Sequence, residues 1–231
     1  MSILLQMQTV TDSLTNYEIT EKTLSVVDLI TSGGIGGNLV MGALGILSIF
    51  AIYILIERFA AIKKASMEDE NFLKSIQNFV EAKDIEAAKT LCRNTDSPIS
   101  RMIEKGVNRI NKPMTDISAA IENQGKLEVF KMENNLANLA TISGAAPMIG
   151  FLGTVIGMIV AFHEMASAGG NIDVEMLSKG IYTAMTTTVA GLIVGIIAFI
   201  AYNYLVSKVD KVVFMLEAKT TEFLDLLHHN E

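Results

Sequence analysis

Charged residues vanish from three stretches of the chain, residues 39–56, 136–162 and 180–207. Each holds 18 or more mostly apolar residues, long enough for an α-helix to cross a hydrocarbon core. The pattern predicts three transmembrane helices, at 39–56, 136–165 and 180–207. Residues 57–135 read differently, with apolar side chains at helical spacing on a polar background. Phe72, Ile76, Phe79 and Val80 mark one helix, and Ile85, Ala88, Leu91 and Cys92 mark a second. Ser97-Pro98, an N-cap followed by proline at the first helical position, opens a third. It runs through Ile110, with Ile99, Met102, Ile103, Val107 and Ile110 inward. After the break at Asn111-Lys112-Pro113, the stripe Ile117, Ala120, Ile121, Leu127, Phe130 and Leu136 continues without a strong stop. One long helix is expected from about Met114 to Met165.

Beyond the third span, Val209, Val212, Val213, Leu216, Phe223, Leu224 and Leu227 extend a helical stripe through residues 208–231. Residues 166–179 form the connection between the second and third spans. In the N-terminal segment, residues 1–38, Leu24 to Ile30 suggest a short amphipathic helix. The glycine-rich stretch from Thr31 to Asn38 should then break it. The resulting fold class is an all-α membrane protein. Its second and third helices extend far into the cytoplasm, with a small helical cytoplasmic region between the first and second spans.

Charge orients the spans. Arg58, Lys63, Lys64, Lys74, Lys126, Lys131, Lys208, Lys211 and Lys219 flank one side, against only Lys22 and Lys179 on the other. The positive-inside rule puts residues 57–135 and the C-terminus in the cytoplasm, and the N-terminus and the 166–179 loop outside. A net charge of −7 without a basic, aromatic-interleaved patch argues against a nucleic-acid partner. Cys92 is the single cysteine, so no intrachain disulfide forms. No ligand cluster, phosphate loop or nucleophile–base pair is present, so no metal, cofactor or enzyme activity is expected. Residues 1–12 carry no Lys or Arg and no small-residue cleavage site, so no cleaved signal peptide is expected.

The second span is more than an anchor. Pro147 removes a backbone donor and frees the carbonyl of Ser143. Gly150, Gly153, Thr154 and Gly157 share one helix face, small enough for another helix to approach closely. The third span carries Thr183, Thr186, Thr187 and Thr188, then Gly191 and Gly195 on a small face. These hydroxyls fit two readings: a narrow polar path, or back-bonding of each Thr to its own i−4 carbonyl. His163-Glu164 ends the second span as an interfacial pair or as a mouth that gathers protons. No Asp, Glu, Lys, Arg or His lies within the three uncharged stretches. Proton-driven machinery normally needs a titratable group at membrane depth, so a partner chain would have to bring it.

The run from Ala146 to Met158 resembles the MotA/TolQ/ExbB proton channel family, most closely its ExbB branch. Gly180-Ile181, Thr188-Val189-Ala190-Gly191-Leu192, Ala201-Tyr202-Asn203 and Glu57-Arg58 support the resemblance. It implies a homo-oligomer, a pentamer, in the bacterial inner membrane. The second and third helices would line a pore around an ExbD-like single-span partner with a membrane Asp. Proton flow past that Asp would move the partner and, through a TonB-like protein, energise outer-membrane transport. By position, Thr154 and Thr188 would face the Asp. Many such sequences carry Glu five residues before Thr188, where this chain has Thr183, so no ring-borne carboxylate joins the path. Within the family a Tol-like output remains open, and outside it a membrane scaffold without ion flow.

Overall fold

The computed structural model describes residues 34–66, 70–167 and 174–229. The described residues form no strand and fall into seven helices. These are α1 (Gly34–Ala65), α2 (Glu70–Glu81), α3 (Ile85–Asn94), α4 (Pro98–Val107), α5 (Met114–Glu133), α6 (Leu136–Ser167) and α7 (Val174–His229). The three apolar stretches lie in α1, α6 and α7, helices long and apolar enough to cross a membrane. At 1.5 Å per residue, the 56 residues of α7 reach about 84 Å, far more than a bilayer core.

The short helices follow their local signals. Asp84 caps α3 by accepting the Ala87 N–H at 3.0 Å. Ser97 and Ser100 form a reciprocal capping box at the start of α4, with Pro98 at the first helical position. Their apolar faces meet α5 and the far half of α7. Ile76, Ile103, Ile121 and Phe223 are completely buried there. Gly106 lets α4 approach, because a Cβ there would lie 2.7 Å from Ile121 Cδ1 and 2.8 Å from Phe223 Cε1. The core is continuous from Ala51 and Ile54 among the spans to Leu227 near the end of α7.

Four expectations need correction. The glycine-rich stretch before Leu39 is helical from Gly34 onward. Gly36 packs so tightly on α6 that a Cβ would lie 3.0 Å from Ile156 Cγ2, and this packing offsets glycine's poor propensity. The first helix, expected over 39–56, does not stop with the apolar stretch but continues to Ala65, with Arg58 turned inward and buried. The helix expected from Met114 to Met165 is broken: Asn134 is extended (φ −52°, ψ 138°) and Asn135 is left-handed (φ 64°). Asparagine tolerates that conformation better than most residues. Leu127 and Phe130, read as part of one apolar stripe with Ile117, Ala120 and Ile121, are exposed while those three are buried.

The break orphans carbonyls at the end of α5. Arg58 fills one of them, its Nη1 donating to the Lys131 carbonyl at 3.0 Å while its Nε and Nη2 meet Glu57. Asn135 starts α6 by accepting the N–H groups of Asn138 and Leu139. At the other end, α6 runs through Ser167 and α7 begins at Val174, so helix covers part of the expected connection. The expected helix at Leu24 to Ile30 and the turn at Ala168 to Asn171 lie outside the described residues.

Candidate functional site

The glycine faces of α6 and α7 meet each other inside one chain. A Cβ on Gly150 would lie 2.7 Å from the Thr187 carbonyl oxygen and 3.0 Å from Gly191 Cα. One on Gly153 would strike Thr187 Oγ1 at 2.5 Å and Val40 of α1 at 2.9 Å, and one on Gly157 would strike Ala184 Cβ at 2.7 Å. A pentamer would have been expected to bury these small faces between subunits. The single chain consumes them instead, because the short connection brings α6 and α7 side by side as an antiparallel pair.

Pro147 sits inside this packing. α6 stays helical through it. The ring takes the place a side chain at position 195 would need: a Cβ on Gly195 would lie 2.5 Å from Pro147 Cγ. The same Cβ would be 3.1 Å from the carbonyl of Ser143, the group that the missing proline donor releases. Gly195 therefore gives both the ring and the freed carbonyl room against α7.

Three hydroxyls converge about two turns away. Thr187 is 2% exposed, and its Oγ1 stands 2.7 Å from the Ala184 carbonyl and 3.1 Å from that of Gly150. Thr188 donates across the interface to the Gly150 carbonyl at 3.1 Å or to Thr154 Oγ1, with which it is in short contact. Thr154 reaches the Ala184 carbonyl at 3.2 Å. Each hydroxyl has one proton to give and two lone pairs. Three protons are thus shared among two backbone carbonyls and a neighbouring hydroxyl, and their order can change by rotation alone. Thr186 instead bonds to its own i−4 carbonyl, Tyr182, at 3.1 Å. Thr183 lies one turn further along α7, half-buried.

Thr154 and Thr188 are only half-buried, so the cluster is sealed on the Thr187 side and open on the other. Beside it, α6 presents Met148, Phe151, Leu152 and Val155, which with Pro147 and Ile149 line an open apolar hollow of about 610 Å³. The cluster can pass a proton between hydroxyls but holds no group that changes charge. Among the described residues, no three His, Cys, Asp or Glu side chains come together as a metal site.

Two members of the site escaped sequence reading: Ala184, whose carbonyl accepts from two threonines, and Val40, which closes over Gly153. Ala184 did have a signal. Gly180, Ala184, Thr187, Gly191 and Gly195 recur at intervals of three and four, a continuous small stripe on α7. Val40 had none, since nothing local says which helix it covers.

A model of the MotA/TolQ/ExbB proton channel family matches residues 94–218, more than half of the chain and both faces of the threonine cluster. The chain belongs to that family. It is 27% identical over 80% of its length to an ExbB homolog of Methanothermobacter thermautotrophicus, covering 64% of that protein. It is 40% identical over 34% of its length to the biopolymer transport protein ExbB of Helicobacter pylori, covering 54% of it. It is 34% identical over 44% of its length to the Tol-Pal system protein TolQ of Haemophilus influenzae, covering 44% of it. The chain thus spans less than two thirds of these relatives. Family and helices together make it a multi-pass membrane protein of a proton channel family.

Proposed function

We propose that this chain is the ring-forming subunit of an ion-driven membrane motor of the ExbB type. Five copies surround a single-span, ExbD-like partner whose membrane Asp supplies the acid that this chain lacks. Proton flow past that Asp moves the partner, and the motion energises TonB-dependent transport across the outer membrane. The ring sits in the bacterial inner membrane, with the N-terminus outside and residues 57–135 in the cytoplasm, as the lysine and arginine asymmetry favours. The observation that carries this reading is the half-open cluster of Thr154 and Thr188 within stretches, 136–162 and 180–207, that hold no Asp, Glu, Lys, Arg or His. Such a site can solvate a proton on a partner's carboxylate but cannot hold one itself. Thr183, where many relatives have Glu, and the buried Thr187 serve as supporting polar groups. The exposed apolar faces of α1 and α6 offer area for neighbouring copies and lipid.

The test is co-purification with any single-span protein encoded beside it, native mass spectrometry of the complex, and proton flux in vesicles. A ring around fewer Asp-bearing chains, whose flux falls at least tenfold in Thr154→Ala and Thr188→Ala, supports the motor. A partner-free ring, or flux indifferent to both substitutions, moves a non-conducting scaffold ahead. The TolQ relative favours one other output, envelope maintenance, and a Tol-type neighbouring gene would select it.

A further inference from the structure

Where α1 and α7 leave the apolar stretches side by side, a cavity of about 380 Å³ opens between them. Its wall toward the spans is aromatic. The rings of Phe59 and Tyr204 stack with centroids 6.3 Å apart, and both are partly exposed. The opposite wall is cationic, formed by Lys63 of α1 with Lys208 and Lys211 of α7. Lys208 Nζ lies 5.4 Å from the centre of the Tyr204 ring. Among the described residues, none of these three lysines has a carboxylate in ion-pair range, whereas the adjacent Lys64 is engaged by Asp96 at 2.6 Å.

The two walls ask for different chemistry in one ligand. Three ammonium groups without a counter-ion among the described residues call for an anion. The aromatic wall sits at the level where rings mark the membrane–water interface. Toward mid-span the α1–α7 seam holds only a small recess of about 30 Å³, but Ile52 and Ile197 on its two sides are exposed and leave an apolar surface there. A free anion would use only the lysines, and a hydrocarbon only the apolar surface. An amphiphile uses both, and basic pockets between helices at the membrane surface collect anionic lipid head groups. We infer that this cavity binds one anionic phospholipid, its phosphate among Lys63, Lys208 and Lys211 and an acyl chain lying against the exposed side chains of Ile52 and Ile197. The site does not depend on whether the chain conducts ions.

The chain has no Trp, so Phe59→Trp in the full-length protein provides a single fluorescent reporter. It is reconstituted in vesicles of equal phosphatidylcholine and phosphatidylglycerol, with brominated acyl chains on one lipid or the other. Brominated phosphatidylglycerol quenches more per molecule, the preference reflecting roughly fivefold in local occupancy for each lysine engaged. Lys63→Gln, Lys208→Gln and Lys211→Gln together remove the preference. Lys64→Gln, Lys126→Gln and Lys219→Gln, an equal loss of charge elsewhere, leave it intact. Equal quenching by both lipids overturns the proposal, as does a preference that survives the first triple substitution. Loss of the preference in millimolar inorganic phosphate assigns the lysines to a free anion and also overturns it. Absence of quenching by either lipid means that protein fills the cavity, and the proposal falls in that case too.

Discussion

Gly150 and Gly191 face each other across α6 and α7 with no room for a side chain between them. A Cβ on Gly150 would come within 3.0 Å of Gly191 Cα, and one on Gly191 within 2.9 Å of Gly150 Cα. Both obstacles are backbone, so neither can rotate aside. Without a hydrophobic drive between helices in lipid, such close approach is what holds a membrane helix pair together. Gly150→Ala or Gly191→Ala should therefore cost about 1–3 kcal/mol, the range for overpacking, read as a lower melting temperature in mild detergent. Gly144→Ala is the control, since nothing lies within 4 Å of a Cβ there. It should stabilise by up to about 1 kcal/mol through helix propensity. Equal behaviour of all three would show that the α6–α7 contact is looser than these distances imply.

Cys92 illustrates a residue made inert by packing. It is buried on α3, and burial, with a smaller contribution from the nearby Glu104 carboxylate, pushes its thiol up to about 12. Only the thiolate reacts. Between pH 7 and 9 an ordinary thiol ionises while this one stays protonated. Iodoacetamide should therefore label the folded protein roughly a thousandfold more slowly than a free cysteine, and its rate should go on rising about tenfold per pH unit above pH 9, where that of a free thiol levels off. Denaturant should restore ordinary reactivity. Rapid labelling of the folded protein at pH 8 would mean that α3 detaches from α4.

Local signals made the short helices legible and made the junctions illegible. The capping pair at Ser97 and Pro98 and the spacing of Ile76 and Ile103 are written in neighbouring residues. So was the small face of α6, but its partner was not, because glycine spacing says that something packs closely without saying what. The break at Asn134-Asn135 hid for a similar reason. Neither residue is a strong stop, and the group that satisfies the opened carbonyl is Arg58, 73 residues upstream of Lys131. The threonines divide along the same line. Thr186 bonds within its own turn, as local chemistry allows, while Thr187 and Thr188 reach a carbonyl of another helix.

Arg58 is accordingly expected to hold the α5–α6 junction. It is 8% exposed, and removing it leaves the Lys131 carbonyl without its donor. Lys131 is itself exposed and water can partly replace the donor, so the cost should stay below the roughly 1–3 kcal/mol of a fully buried unpaired carbonyl. Arg58→Ala should speed hydrogen exchange at residues 131–139 while the middle of α6 stays protected. Arg58→Lys should rescue only in part, because one ammonium cannot serve Lys131 and Glu57 with the geometry of a guanidinium fork. Unchanged exchange at the junction in Arg58→Ala would show that the break stands on its own.

Glu128 is the most deeply buried charge among the described residues, at 2% exposure. Three donors serve its carboxylate: Arg101 Nη2 of α4 at 2.8 Å, Lys131 Nζ at 2.9 Å and Gln124 Nε2 at 2.8 Å. Arg101 also reaches Asp96 with Nη1 at 2.7 Å, and Lys64 of α1 meets the same carboxylate. The chain of contacts thus ties α5 through α4 to the end of the first span. Burying the carboxylate is costly, and the donors offset that cost only together. Glu128→Ala should destabilise by about 3 kcal/mol, the low end for breaking a buried pair, because the half-buried Arg101 can turn toward solvent. Glu128→Met combined with Arg101→Met should recover much of the loss, since apolar replacements of a buried pair are often neutral. Thermal unfolding of the two variants in detergent reads the difference. A single substitution costing less than about 1 kcal/mol, as an exposed ion pair would, means that water reaches Glu128 and that the tie between α4 and α5 rests on Met102, Ile103 and Ile121 alone.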